Sequence, residues 1–222
     1  MSTKKRENRT FIIPIGVGHW PLEIVINTEI AVQTPSHVAI SLFLWRKVPD
    51  WKQTVCVVFG AVLPDLNMFL FYAYQKIIGS SESDIWGTLY FEEHWQLFFD
   101  CFNAIPIYLA VVGIAYWRGN RLLLLVASSA LVHVLCDLPL HNDDAHRHFL
   151  PFSQWRFVSP VSYWDPKHFG LVAAGVEFVS AFAICCYVGF GNFASSIRVA
   201  ARIDLFLYVL AGVLIAGYLL MR

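Results

Sequence analysis

Between His133 and His148 the chain reads HVLCDLPLHNDDAHRH. This sets His133, His141, His146 and His148, half of the eight histidines, among three aspartates at the end of a long apolar segment. Imidazole and carboxylate together are the donor set of zinc, manganese and iron sites. Ionisable groups are costly beside hydrocarbon, so their presence there points to function. His133 and Asp137 are four residues apart. On a helix they share one face, one turn apart, as two ligands of a single metal require. His141 extends the stripe by a further turn, across the interruption at Pro139. The alternative reading of the pair is a His–Asp hydrogen bond that satisfies itself inside a helix bundle.

Other segments supply candidates for the same chemistry. In Leu63-Pro64-Asp65-Leu66-Asn67, a proline and an acid interrupt an apolar run. Proline breaks the helical ladder and frees a carbonyl, and an Asp at that depth needs a partner. Asp65 is therefore read as a ligand, or else as a cap for the restarted helix, with Asn67 beside it as a supporting or substrate-facing group. His37 follows Thr34-Pro35-Ser36 at a helix start, where the helix dipole favours the neutral, metal-binding imidazole. His94, next to Glu92 and Glu93, is a candidate ligand or general base, or else a membrane-surface residue. Glu177 is the only acid in VAAGVEFVSAF and must be paired or protonated there. Asp100 is a weaker candidate in an apolar helix. Asp144, His148 and His168 join the rim of the site, and Arg147, Arg156 and Lys167 are candidate holders of a phosphate or carboxylate. Trp155, Tyr163 and Trp164 suit anchoring at a membrane interface.

The elements that must position these groups follow from composition. The 222 residues are 57% hydrophobic and only 14% charged, with a mean hydropathy of +0.56, whereas a soluble domain carries about 25% charged residues. An all-α, multi-span transmembrane helix bundle is expected. Apolar segments at 53–76, 95–117, 121–141, 169–190 and 204–221 give five spans, and 36–46 gives a shorter sixth candidate. Residues 1–33 read as a poorly patterned extension without a secretory cleavage pattern, and 34–222 as one membrane-embedded domain. A net charge of zero gives no basic field for nucleic acid. The five cysteines show no CxxC spacing and read as packing residues rather than disulfide partners. Arg46, Lys47, Lys52, Arg118, Arg121, Arg198 and Arg202 fall in three turns on one side, which the positive-inside rule makes cytoplasmic. The His/Asp-rich loops then face the non-cytoplasmic side.

The ordered set TPSH ending at His37, GAVLPDLN across Asp65 and Asn67, His94, and HVLCDLPLH from His133 to His141 resembles the membrane-bound metal-dependent hydrolases, a family named for a LexA-regulated inner-membrane member. The tail DDAHRHFLPFSQWRFVSPVSYWDP is similar to a bacterial subgroup of such proteins. Asn67 stands where the family pattern LPD-x-D has a second Asp, and EEHW stands where the pattern has a longer His-containing segment. The resemblance implies a divalent metal, zinc foremost with manganese or iron as alternatives, held by His37, Asp65, His133 and Asp137. His94, His141 or His146 would then shuttle protons. It implies hydrolysis of a small-molecule or lipid-linked substrate, a phosphoester above all, at the bacterial inner (cytoplasmic) membrane. The alternatives are a transporter or ion-binding protein using the same residues, and a purely structural His–Asp network.

Overall fold

A computed structural model describes residues 34–163 and 165–220, with side chains through residue 213. The extension 1–33 and Trp164 lie outside the described residues. Within them the chain is all-helical, without strands. The helices are α1 (Thr34–Leu44), then α2 (Trp51–Val62), α3 (Leu66–Ile77), α4 (Glu82–Gly87), α5 (Glu93–Phe102), α6 (Ile105–Trp117), α7 (Arg121–Asp137), α8 (Gly170–Phe190) and α9 (Ser195–Leu220).

Four helical stretches are long and apolar enough to cross a membrane: Trp51–Ile77, Glu93–Trp117, Arg121–Leu140 and Gly170–Phe190. The chain is thus consistent with an integral membrane protein. The expected count of five spans plus a sixth is corrected to four among the described residues, because α1 spans only Thr34–Leu44 and is too short. Residues 204–220 of the predicted fifth span, 204–221, lie in α9, whose side chains from residue 214 on, like residue 221 itself, lie outside the described residues. Large apolar side chains point outward along α6 (Ile107, Leu109, Ile114) and α8 (Leu171, Val172, Val176, Val179). Contiguous apolar surface of this extent is what lipid solvates and water does not.

Two of the four stretches are broken where the sequence supplies the break. Pro64 lies in a 3-10 turn over Leu63–Asp65 that joins α2 to α3. Asn103 and Ala104 separate α5 from α6, whose first turn contains Pro106. Proline lacks the N–H a helix interior needs but is welcome in a first turn, so both breaks follow from local chemistry.

The frame of the site is the pair α2 and α7. Gly60 lets the two backbones approach so closely that a β-carbon there would lie 2.8 Å from Ser129 Cβ. Ser129 Oγ donates to the Val57 carbonyl at 2.7 Å. One turn further along both helices, His133 meets the Ala61 carbonyl. Small residues at the contact and side-chain hydrogen bonds across it are how helices associate in lipid. α6 packs on the other side of α7, and α8 pairs with α9. The basic turns gather at one end: Arg46 and Lys47 border the same depression as Arg121, and Thr54 bonds to Ser196 at 3.0 Å. The start of α1 and the end of α7, with their histidines, lie at the other.

Candidate metal centre

His37, His133 and Asp137 come together at the buried end of α1 and α7, each offering a ligand atom within 4.8 Å of the others. His37 Nε2 is 2.8 Å from Asp137 Oδ1, and His133 Nε2 is 2.9 Å from Asp137 Oδ2. The two imidazoles stack with their centroids 3.6 Å apart. Asp65 reaches the group from the 3-10 turn, its Oδ1 3.3 Å from His133 Nε2, and is itself held by the Thr34 hydroxyl at 2.5 Å. The four residues taken from the sequence as ligands therefore converge from three separate elements.

The orientation of His133 is informative. Its Nδ1 lies 2.5 Å from the Ala61 carbonyl oxygen. A carbonyl only accepts, so Nδ1 carries the proton, and in the neutral ring Nε2 presents a lone pair. That Nε2 is fully buried and makes no hydrogen bond, although two carboxylates lie close by. A buried lone pair facing anionic oxygens is stable when a cation is shared between them. Fixing a ligand imidazole through Nδ1–H to a backbone carbonyl is also how proteins orient metal-binding histidines. Two imidazoles and one or two carboxylates suit zinc, manganese or iron(II). Donor atoms around a tetrahedral zinc sit roughly 3.3 Å apart, so this group needs to open by only a few tenths of an ångström.

A half-enclosed cavity of about 80 Å³ opens beside the group, lined by Asp65, Asp137, His141, His146, Asn103 and Tyr163 on its polar side. Met68, Phe69, Trp86 and Tyr90 form an apolar wall. A water occupies about 10–15 Å³ on this measure, so the space holds several waters or a small head group.

His141 stands between the metal-binding group and the loop that follows. Its Nδ1 pairs with Asp144 Oδ2 at 2.7 Å, and its Nε2 lies 4.0 Å from Asp137 Oδ2. Burial works against the imidazolium, but the charge and hydrogen bond of Asp144, with the charges of Asp137 and Asp65, together outweigh it and raise the His141 pKa to about 9. Asp144 is held in turn by the Asn142 backbone N–H at 3.1 Å, and burial of its carboxyl is outweighed by the His141 charge and hydrogen bond together with the His146 charge, which lower its pKa.

Other expected residues do different work. His146 lines the cavity and pairs through Nδ1 with Asp100 at 3.2 Å. Arg147 points away from the cavity. Its Nε binds Asp100 Oδ2 and its Nη1 reaches Glu93 at 2.6 Å and Gln154 at 3.1 Å, pinning the loop to α5. Arg156 bonds to Gln96 and to the Ala145 carbonyl. His148 is buried with its Nδ1 donating to the Asn103 carbonyl at 3.0 Å. His168 pairs with Asp165 at 2.8 Å beside the start of α8. Glu177 accepts from the Ser36 hydroxyl, next to His37. Asn67 lines the cavity and donates to the Phe99 carbonyl at 3.2 Å. His94 is largely exposed, its nearest acid Glu92 at 3.6 Å, and it does not line the cavity.

Sequence reasoning passed over Asn103 and read Tyr163 only as an interface anchor, yet both line the cavity. A polar residue at a break in an apolar segment was the available signal for Asn103. No family model matches the chain, and neither a curated protein nor a solved structure was found to be similar to it.

Proposed function

We propose that this protein is an integral membrane, metal-dependent hydrolase whose metal is held by His37, His133 and Asp137 with Asp65 as a fourth donor. The observation that carries this reading is the buried His133 Nε2, fixed from behind by the Ala61 carbonyl and left without a hydrogen bond among carboxylates. A divalent cation supplies Lewis acidity and brings the pKa of water at the site down toward neutrality.

The chain's own groups have distinct parts. Asp144 orients His141 and holds it as the imidazolium at neutral pH, so that its Nε2 would donate a proton to the leaving group. His146, braced by Asp100, is the second proton carrier on the cavity wall. Asn67, Asn103 and Tyr163 offer hydrogen bonds to a head group. Met68, Phe69, Trp86 and Tyr90 take an apolar portion, which favours a lipid-linked phosphoester over a fully polar one. Zinc is the preferred ion on its donor set. The basic turns at the opposite end support a site on the non-cytoplasmic side of a bacterial inner membrane.

Elemental analysis of the purified protein beside His133→Ala and Asp137→Ala tests the metal. Near-stoichiometric metal in the wild type and its loss in both variants is expected. Negligible metal in all three overturns the reading. Phosphomonoesters, phosphodiesters and lipid-linked phosphates are then assayed with the metal-loaded protein. Metal-dependent uptake into proteoliposomes without hydrolysis of any of them would replace the enzyme by a transporter.

A further inference from the structure

The end of the bundle opposite the His/Asp group carries a second depression, of about 350 Å³, lined by Leu44, Trp45, Arg46, Lys47, Val48, Arg121 and Leu125. Three of its seven residues are cations and none is an acid. The nearest acid in sequence, Asp50, is occupied by the backbone and side-chain amides of Gln53 at 2.9 and 2.8 Å. Arg46 is braced, with Nη1 donating to the Phe43 carbonyl at 2.7 Å and the guanidinium 4.6 Å above the Phe43 ring. Bracing lowers the entropy it loses on binding an anion. Arg121 opens α7, and that helix's Asn120 cap satisfies the Leu123 N–H, leaving its first amides to add positive potential.

We propose that this depression binds the phosphate head group of an anionic phospholipid. It sits where the transmembrane helices α2 and α7 begin and the short helix α1 ends, at the level of a membrane surface. Apolar side chains lead away from it: Leu44, Leu122 and Leu123 are 49%, 42% and 38% exposed. An acyl chain covers that surface, whereas a free phosphate leaves it bare. Basic pockets between spanning helices are where phosphate-bearing lipid heads are held, and Trp45 is of the type that sits at the head-group level.

The test uses the full chain in nanodiscs of phosphatidylcholine, with phosphatidylglycerol titrated in and retained lipid read by native mass spectrometry. Wild type retains phosphatidylglycerol selectively. The triple variant R46Q/K47Q/R121Q loses that selectivity at least about tenfold, the cost of removing several charge-assisted contacts. Lys52→Gln with Arg118→Gln, outside the depression, leaves it unchanged. Millimolar inorganic phosphate does not displace the lipid. Equal retention of the two lipids overturns the proposal, as does a triple variant that binds like wild type. So do an equal loss in the Lys52/Arg118 variant, which means a diffuse field, and displacement by inorganic phosphate, which means a free-anion site. The triple variant's metal content and melting temperature report whether it has folded.

Discussion

The Nδ1 of His133 lies 2.5 Å from the carbonyl oxygen of Ala61, so the imidazole on α7 is hung from the helix that leads to Asp65. The spacing of α2 and α7 therefore sets the position of a proposed metal ligand. Gly60, one residue earlier, sets that spacing: a methyl group there meets the Val126 carbonyl and Ser129 Cβ. Gly60→Ala is expected to lower stability by about 1–3 kcal/mol. It should also weaken metal binding on the order of tenfold, because the support of a ligand moves. Thermal melting and metal titration check the two effects. A variant with wild-type metal affinity would show that the close approach is irrelevant to the site.

The loop histidines predict opposite pH limbs. Burial, followed by the charge of His146, lowers the His148 pKa from 6.5 to about 4. The unfolded chain takes up a proton there that the folded chain refuses, so stability is full above 6.5 and falls as pH drops toward 4. His141 is the reverse: its pKa is raised to about 9, so its contribution is full below 6.5 and is lost as pH rises through 9. Melting temperature against pH should peak between these limbs. His148→Phe should flatten the acid limb and His141→Gln the alkaline one. A melting temperature that keeps rising from neutrality to pH 9 would contradict the His141 assignment.

Asn67 lies two residues after Asp65, where a carboxylate would add another anionic donor, and its surroundings explain the amide. Its Nδ2 donates to the Phe99 carbonyl at 3.2 Å, and Asn103 Nδ2 donates to the same oxygen at 3.1 Å. A carboxylate cannot donate and would face that carbonyl at close range. Asn67→Asp is expected to cost about 2–4 kcal/mol without raising the metal content. Increased metal together with higher stability would mean that position 67 is a latent ligand.

Removing the Arg147 clamp should release the loop while leaving the helices in place. Asp100, fully buried, would lose the guanidinium and keep the residue-147 backbone N–H at 3.0 Å, His146 and a 3.6 Å contact with Arg156. Arg147→Ala is expected to cost about 3 kcal/mol and to open residues 142–168 to limited proteolysis. Arg147→Lys keeps the charge but not the fork, and should fall between the two.

The helical, membrane-spanning character was legible because hydrocarbon imposes long apolar runs. His133 with Asp137 was legible because a helix brings residues four apart onto one face. The break at Asp65 was announced by Pro64. Less was visible where a residue's role depends on distant partners. Asp100 looked like a weak candidate, yet it anchors Arg147 and His146 from more than forty residues away. Arg147 looked like an anion holder, but its Nε and Nη1 are engaged by Asp100, Glu93 and Gln154, and only its buried Nη2 is left without a partner. His94 shared the composition of the cluster but lies on the exposed first turn of α5, outside the cavity. Short α4, which brings Trp86 to the cavity wall, had no apolar periodicity to reveal it.

The 3-10 turn at Leu63–Asp65 acts as a phase shifter. Each of its three residues turns the chain by about 120° instead of the α-helix's 100°, so everything beyond it is rotated by roughly 60°. Upstream, Val57, Gly60 and Ala61 are buried toward α7; downstream, Asn67 and Phe71 are buried toward α5. One span is thereby geared to two partners at once. Inserting or deleting a single residue between Gly60 and Asn67 would rotate one half against the other by about a quarter turn, parting the His133 support from the aromatic wall. Chain length should accordingly be frozen across the six residues between Gly60 and Asn67, while the exposed turn at Gly79–Ser81 is free to vary.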